Sequence, residues 1–106
     1  MSLPGLHLSV SGLGTENDGS IVQPASRQAL YALKPTLGPV TAEGTWSVSK
    51  SLDTPGAMAR SAFDLAAATE ALLNLLARAE LPTNGYQSSM STSFKGMKLG
   101  FVNAAV

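Results

Sequence analysis

Gly14-Thr15-Glu16-Asn17-Asp18-Gly19-Ser20-Ile21-Val22-Gln23-Pro24-Ala25-Ser26 is the stretch on which the reading of this chain turns. Small polar residues crowd between two glycines, a serine follows the second glycine directly, and an Ile-Val pair leads into Pro24-Ala25-Ser26-Arg27. Pro is tolerated in the first turn of a helix, where its missing N–H costs nothing, and Ser caps well. The stretch therefore predicts a strand, a tight glycine-containing turn that presents Ser20, and a helix beginning shortly after it.

Such a turn has a definite chemical capacity. Glycine lets backbone approach a ligand closely because it has no Cβ. Successive N–H groups in a turn can converge on an anion. A serine hydroxyl beside convergent N–H donors is the arrangement acyl transfer uses: the hydroxyl attacks a carbonyl carbon and the N–H groups hold the oxyanion. The same residues are also what ordinary turns are made of, so a plain loop stands as the alternative. Two other motifs are excluded. The spacing of Gly14 and Gly19 matches a P-loop, but a P-loop needs Lys directly after the second glycine and Ser20 is there. The Gly-x-Ser-x-Gly elbow of α/β-hydrolases is absent as well.

Several separated motifs resemble the amidase signature family. They are Gly14 to Ile21, Pro24-Ala25-Ser26, Leu33-Lys34-Pro35-Thr36-Leu37-Gly38, and Ser51-Leu52-Asp53-Thr54-Pro55-Gly56-Ala57-Met58-Ala59-Arg60. The resemblance spans about residues 12–76 and returns at Lys95-Gly96-Met97-Lys98-Leu99-Gly100-Phe101. The Asp18-Gly19 pair looks closer to the fungal-type members than the double-glycine version does. The resemblance implies an α/β fold: a mixed sheet with flanking helices, here partial and with an incomplete core. It implies hydrolysis of carbon–nitrogen bonds in a small-molecule amide, with Ser20 in the nucleophile position. The backbone N–H groups of Asn17, Asp18 and Gly19, with that of Ser20 itself, would match the oxyanion hole. The family activates its serine with a second serine in a cis peptide and an upstream lysine. Residues 1–13 contain neither a lysine nor a Gly-Ser-Ser-rich loop. The chain is therefore expected to be inactive alone; a non-catalytic truncated paralogue or interaction remnant is the alternative.

Composition supports this and narrows it. At 106 residues the chain is one domain at most. We divide it into an atypical segment 1–13, a signature core 14–81, and a connection with a strand, 82–106. Seven basic residues balance seven acidic ones, so nothing favours nucleic acid as a partner. Only 13% of residues are charged and 44% are hydrophobic. Low charge on a short chain fits a slice of a larger protein, with apolar faces available for association. With no cysteine there is no disulfide, thiolate zinc site or cysteine nucleophile. No metal or cofactor is expected. No signal peptide and no membrane span can be read, and a cytoplasmic location is expected.

Taken in order, Leu6, Leu8 and Val10 alternate with polar residues and predict a short strand, with His7 on its polar face. Residues 24–32 are helix-compatible, and the residue before Pro35 ends that segment. Arg27 would sit just inside this helix in a surface role. Lys34 matches a lysine of the resemblance other than the catalytic one and is read as structural. Residues 35–57 are rich in Pro and Gly and read as loops, with a short strand at 37–40. Trp46 reads as a buried anchor, and Asp53 as a turn former bonding nearby backbone. Residues 61–79 are the clearest helix. Ser61 and Asp64 make a capping-box-like start, Leu65, Ala68, Leu72, Leu76 and Ala79 form a stripe, and Pro82 ends it. Residues 82–95 read as a polar connection and 98–102 as a buried strand.

Overall fold

The computed structural model describes residues 10–100. A small three-stranded sheet carries the fold. Strand β1 is Ser11–Glu16, β2 is Tyr31–Leu33 and β3 is Thr54–Ala59, in the order β1-β3-β2. Both pairings are antiparallel: Ser11 lies opposite Ala59 and Glu16 opposite Thr54, while Tyr31 to Leu33 face Ala59 to Ala57. Helix α1 (Val22–Arg27) follows β1. Helices α2 (Ala62–Leu72), α3 (Leu75–Ala79) and α4 (Gly85–Ser88) follow β3. The α/β class read from the sequence holds, although no parallel strand pair occurs within this sheet among the described residues.

The strand–turn–helix expected around Ser20 is present as β1, the turn and α1. The helix is shorter than residues 24–32. It closes at Gln28, and Ala29 takes a left-handed φ of 52°. The N–H groups of Gln28 and Leu30 both donate to the Ala25 carbonyl. Tyr31-Ala32-Leu33 then extends, because pairing with β3 offers these residues a ladder that a short exposed helix cannot match.

Strand β3 is the largest departure from the sequence reading. Pro55 and Gly56 look like breakers and place residues 54–57 in a loop, yet every residue of β3 is buried. β2 covers only Ala57 to Ala59, so Thr54 to Gly56 form an edge on that side. A proline lacking its N–H is tolerated at such an edge. Gly56 is required for a different reason. A Cβ there would collide with the Leu33 carbonyl oxygen and lie 3.0 Å from Ile21 Cδ1. The sheet and α1 close on Ile21, Ala25 and Met58, with Leu30 and Ala32 packed against them. This core is small, in keeping with the incomplete core expected.

The helix predicted over 61–79 divides in two. Its start holds: Ser61 Oγ accepts from the Asp64 N–H and donates to Asp64 Oδ2. The break comes at Leu73-Asn74, where long-range partners outweigh helix continuation. Leu73 is buried and pairs with Val40. The Asn74 N–H donates to Pro39 O, its amide donates to Gly38 O, and its Oδ1 caps α3 at Ala77. The turn resets the helical phase, and Leu76 of the expected stripe faces solvent together with Leu75.

Other expectations are corrected. Residues 37–40 form a turn with Gly38 at a φ of 103°, bridged from Leu37 to Val40, and are not a strand. Trp46 is 93% exposed and anchors nothing. The polar connection contains α4, whose Gly85 packs on the Glu70 carboxylate. Residues 98–100 are exposed and outside any strand, because no neighbouring strand among the described residues offers them a ladder. The strand expected at 6–10 and His7 lie outside the described residues, except for exposed Val10.

Gly56→Ala is expected to destabilise the chain by about 1–3 kcal/mol, since the new methyl meets rigid backbone. Gly100→Ala, with nothing within 4 Å of the added Cβ, should be neutral. Urea unfolding followed by circular dichroism checks both.

Candidate functional site

The turn that carries Ser20 is built from Glu16 outward. Glu16 ends β1 on the buried side of the strand and is 4% exposed. Its chain folds back so that Oε2 accepts from the N–H groups of Ile21 (2.6 Å) and Val22 (2.9 Å). These are orphan donors at the start of α1, and a carboxylate is the acceptor that suits them. One side chain thus closes the loop from residue 16 to residue 22, and within that loop Asp18 and Ser20 are exposed while Gly19 is buried.

Lys34 holds the other side. Its Nζ donates to the Asn17 carbonyl at 2.6 Å and stands 4.0 Å from Glu16 Oε1. The structural role expected for this lysine is what its contacts describe. Asp53 is a third fixed charge. It accepts from the N–H groups of Val48 and Ser49 and from Ser47 Oγ, closing the loop that feeds β3. These bonds make Asp53 the turn former that the sequence suggests.

The electrostatics follow from these contacts. Burial pushes the Glu16 pKa up, but the N–H groups of Val22, Ile21 and Gly19, together with the Lys34 ammonium, outweigh it. The group ends below its ordinary value of 4.5. The Ser49 N–H is the chief cause holding Asp53 below its ordinary 3.8. Burial opposes it, while Ser47, Val48 and the Lys34 charge reinforce it.

Within this frame the chain places Asn17, Asp18, Gly19 and Ser20 on consecutive positions of one turn. Gly19 has a φ of 80°, a conformation that an L side chain adopts only with strain. Its carbonyl accepts the Gln23 N–H at 2.9 Å, which sets the first turn of α1 directly behind Ser20. Ser20 is exposed and Ile21 fully buried. Burying Ile21, worth about 1.5–3 kcal/mol, therefore fixes the outward side of the turn on which Ser20 stands. Ser20 opens on a concavity of about 410 Å³ whose wall includes Asp18, Gln23, Arg27 and Gln28. An exposed hydroxyl beside a run of turn N–H groups is suited to attack on a carbonyl, provided some group takes its proton. No cluster able to hold a metal ion occurs among the described residues.

Two residues that matter here are easily missed in the sequence. Glu16 reads there only as a motif position, although an acid shortly before a helix start is a known signal for pairing with its N–H groups. Gln23 carries no signal at all; its side chain lies against Gly19 only because the turn brings it there.

Several known proteins are similar to this chain. A family model described as Amidase matches residues 3–106. A glutamyl-tRNA(Gln) amidotransferase subunit from Rhizobium johnstonii is 34% identical over 101 residues, covering 92% of this chain and 20% of that protein. The corresponding protein of Brucella ovis is 35% identical over 98 residues, covering 89% of this chain and 20% of its own length. A solved structure, the crystal structure of PAM12A, superposes with a TM-score of 0.64 at 43% identity, covering 74% of this chain and 17% of that one. The chain spans about a fifth of the length of the curated relatives it matches.

Stability should fall as the solution is acidified. Both carboxylates have folded values below their unfolded ones, so below about pH 4.5 the unfolded chain binds more protons. The stabilisation is complete above the unfolded values and is lost as pH drops through the folded ones. Glu16→Gln should cost about 1.5–3 kcal/mol at neutral pH, by weakening charge-assisted bonds, and should flatten the acid limb. Thermal melts from about pH 7 to pH 3 would check this.

Proposed function

This chain belongs to the Amidase family, and from that premise we propose that its signature core, residues 14–81, forms the nucleophile-bearing part of an enzyme that cleaves carbon–nitrogen bonds by acyl transfer. Ser20 Oγ attacks the amide carbonyl and gives up its proton, and the N–H groups of Asn17 and Asp18 receive the oxyanion, that of Gly19 being turned to the Glu16 carboxylate. The amine departs with a proton and leaves an acyl-serine that water then cleaves. The observation that carries this is the turn itself: Ser20 exposed on a loop whose two ends are tied by Glu16 and Lys34. Preorganised donors act without rearranging at the moment of reaction, and ties at both ends limit how far this loop can rearrange.

The proton on Ser20 needs an acceptor. Lys34, which grips the turn, is engaged with Asn17 and Glu16. The polar wall of the concavity offers a guanidinium, two carboxamides and the Asp18 carboxylate. With Lys34 held to the turn, solvent takes the proton in this chain. The fungal-type assignment rests on the Asp18-Gly19 pair alone. The relatives named above are amidotransferase subunits, which supports amide-nitrogen chemistry and a larger assembly as the working form.

Exposed apolar side chains favour that larger context. Trp46, Val48, Leu75 and Leu76 are each more than four-fifths exposed, a liability unless another protein surface covers them. No helix among the described residues is long and apolar enough to cross a membrane.

The test is labelling of the purified chain with a fluorophosphonate probe, beside Ser20→Ala. We expect slow modification at Ser20 that keeps rising with pH through neutrality, because solvent takes the proton. The variant should not be labelled. Labelling that survives in Ser20→Ala would refute the assignment, and a plateau near neutral pH would reveal an internal base.

A further inference from the structure

We propose that Gln23 and Arg27 form the substrate-reading edge of the Ser20 concavity and select amides whose acyl part ends in a carboxylate. This rests on the serine reading above and extends it from the reacting atoms to the rest of the substrate.

Gln23 is held at the turn. A Cβ built on Gly19 would stand 2.7 Å from Gln23 Nε2 and 3.1 Å from its Cγ, so the carboxamide fills the space a side chain at position 19 would take. It lies next to Ser20, with donors and an acceptor to offer. Arg27 follows four residues later, which on a helix is the same face and about 6 Å along the axis. Both side chains line the concavity onto which Ser20 opens.

The charges set the direction of reading. Arg27 is the one cationic side chain among the described residues that line this concavity, and it belongs to the last turn of α1, the end of the helix away from Ser20. Its guanidinium is always charged and presents a planar fork that fits a carboxylate. Asp18 lies at the turn end. A ligand carboxylate there would meet a like charge, whereas one placed over Arg27 meets its complement. A substrate with a neutral amide at Ser20 and an anion a few carbons away satisfies both ends. A neutral acyl chain would leave Arg27 unused, and a cationic one would be repelled by it.

The experiment separates recognition from chemistry by using the 106-residue chain with Ser20→Ala, in which no acyl transfer can occur. Glutaramate, butyramide and 4-aminobutyramide are titrated in turn, and backbone amide shifts are followed by NMR. Glutaramate is expected to bind roughly five- to tenfold more tightly than butyramide, with shifts at Gln23 and Arg27, and the advantage should shrink at high salt. Arg27→Gln should abolish the difference, and Arg27→Lys should keep part of it. Arg27 is exposed, and the unliganded spectrum of each variant reports whether the turn is intact. The proposal is overturned by equal affinity for the two ligands, by no binding of either, by tighter binding of 4-aminobutyramide, or by a preference that survives Arg27→Gln. Fluorophosphonate labelling of the wild-type chain reports on Ser20 independently, so each reading can fail without the other.

Discussion

The bonds from the Ile21 and Val22 N–H groups to the Glu16 carboxylate are the constraint on which this structure depends. They are charge-assisted and largely shielded from water, and such bonds hold geometry better than neutral exposed ones. They tie the end of β1 to the start of α1. The residues to which we assign the chemistry lie between those ends. The carboxylate is buried and does not share the exposed face of Ser20; its effect is to fix how the turn stands.

Lys34 links this tie to the rest of the molecule. It grips the turn through Asn17, balances Glu16, and its charge reaches Asp53 at the entry to β3. Because Glu16 lies opposite Thr54 in the sheet, the loop closed by Asp53 and the turn closed by Glu16 meet at the same end of the β1–β3 ladder. Three charged groups thus fix one end of a small sheet with little core behind it. Ile21, Ala25 and Met58 supply the apolar counterpart. Pulling Ile21 inward and leaving Ser20 outward are two consequences of one packing choice.

The turn was more legible than the fold around it. It could be read because its requirements are local: glycine for the left-handed position, a serine after it, and a helix start able to accept Pro24. The cap at Ser61 and the backbone bonds of Asp53 were readable for the same reason, since each donor lies within five residues of its acceptor. Strand β3 was not readable. Thr-Pro-Gly-Ala-Met-Ala carries breaker residues and no alternation, and only burial on both faces explains its composition. Trp46 fails in the opposite sense: a residue type that usually anchors a core stands in solvent here.

The sequence by itself determined the strand, turn and helix around Ser20, the family to which its motifs belong, and the local caps. These rest on contacts between near neighbours, and such contacts are encoded wherever the residues stand in order. Only the tertiary structure decided that residues 31–33 leave the helix, that a Pro-Gly segment becomes the central strand, and that the long helix divides at Asn74. Each of those outcomes was settled by a partner many residues away: β3 for Tyr31 to Leu33, β1 for Thr54 to Gly56, and Gly38 to Val40 for Leu73 and Asn74. Pairing across such distances rewards a conformation that local preference alone does not select.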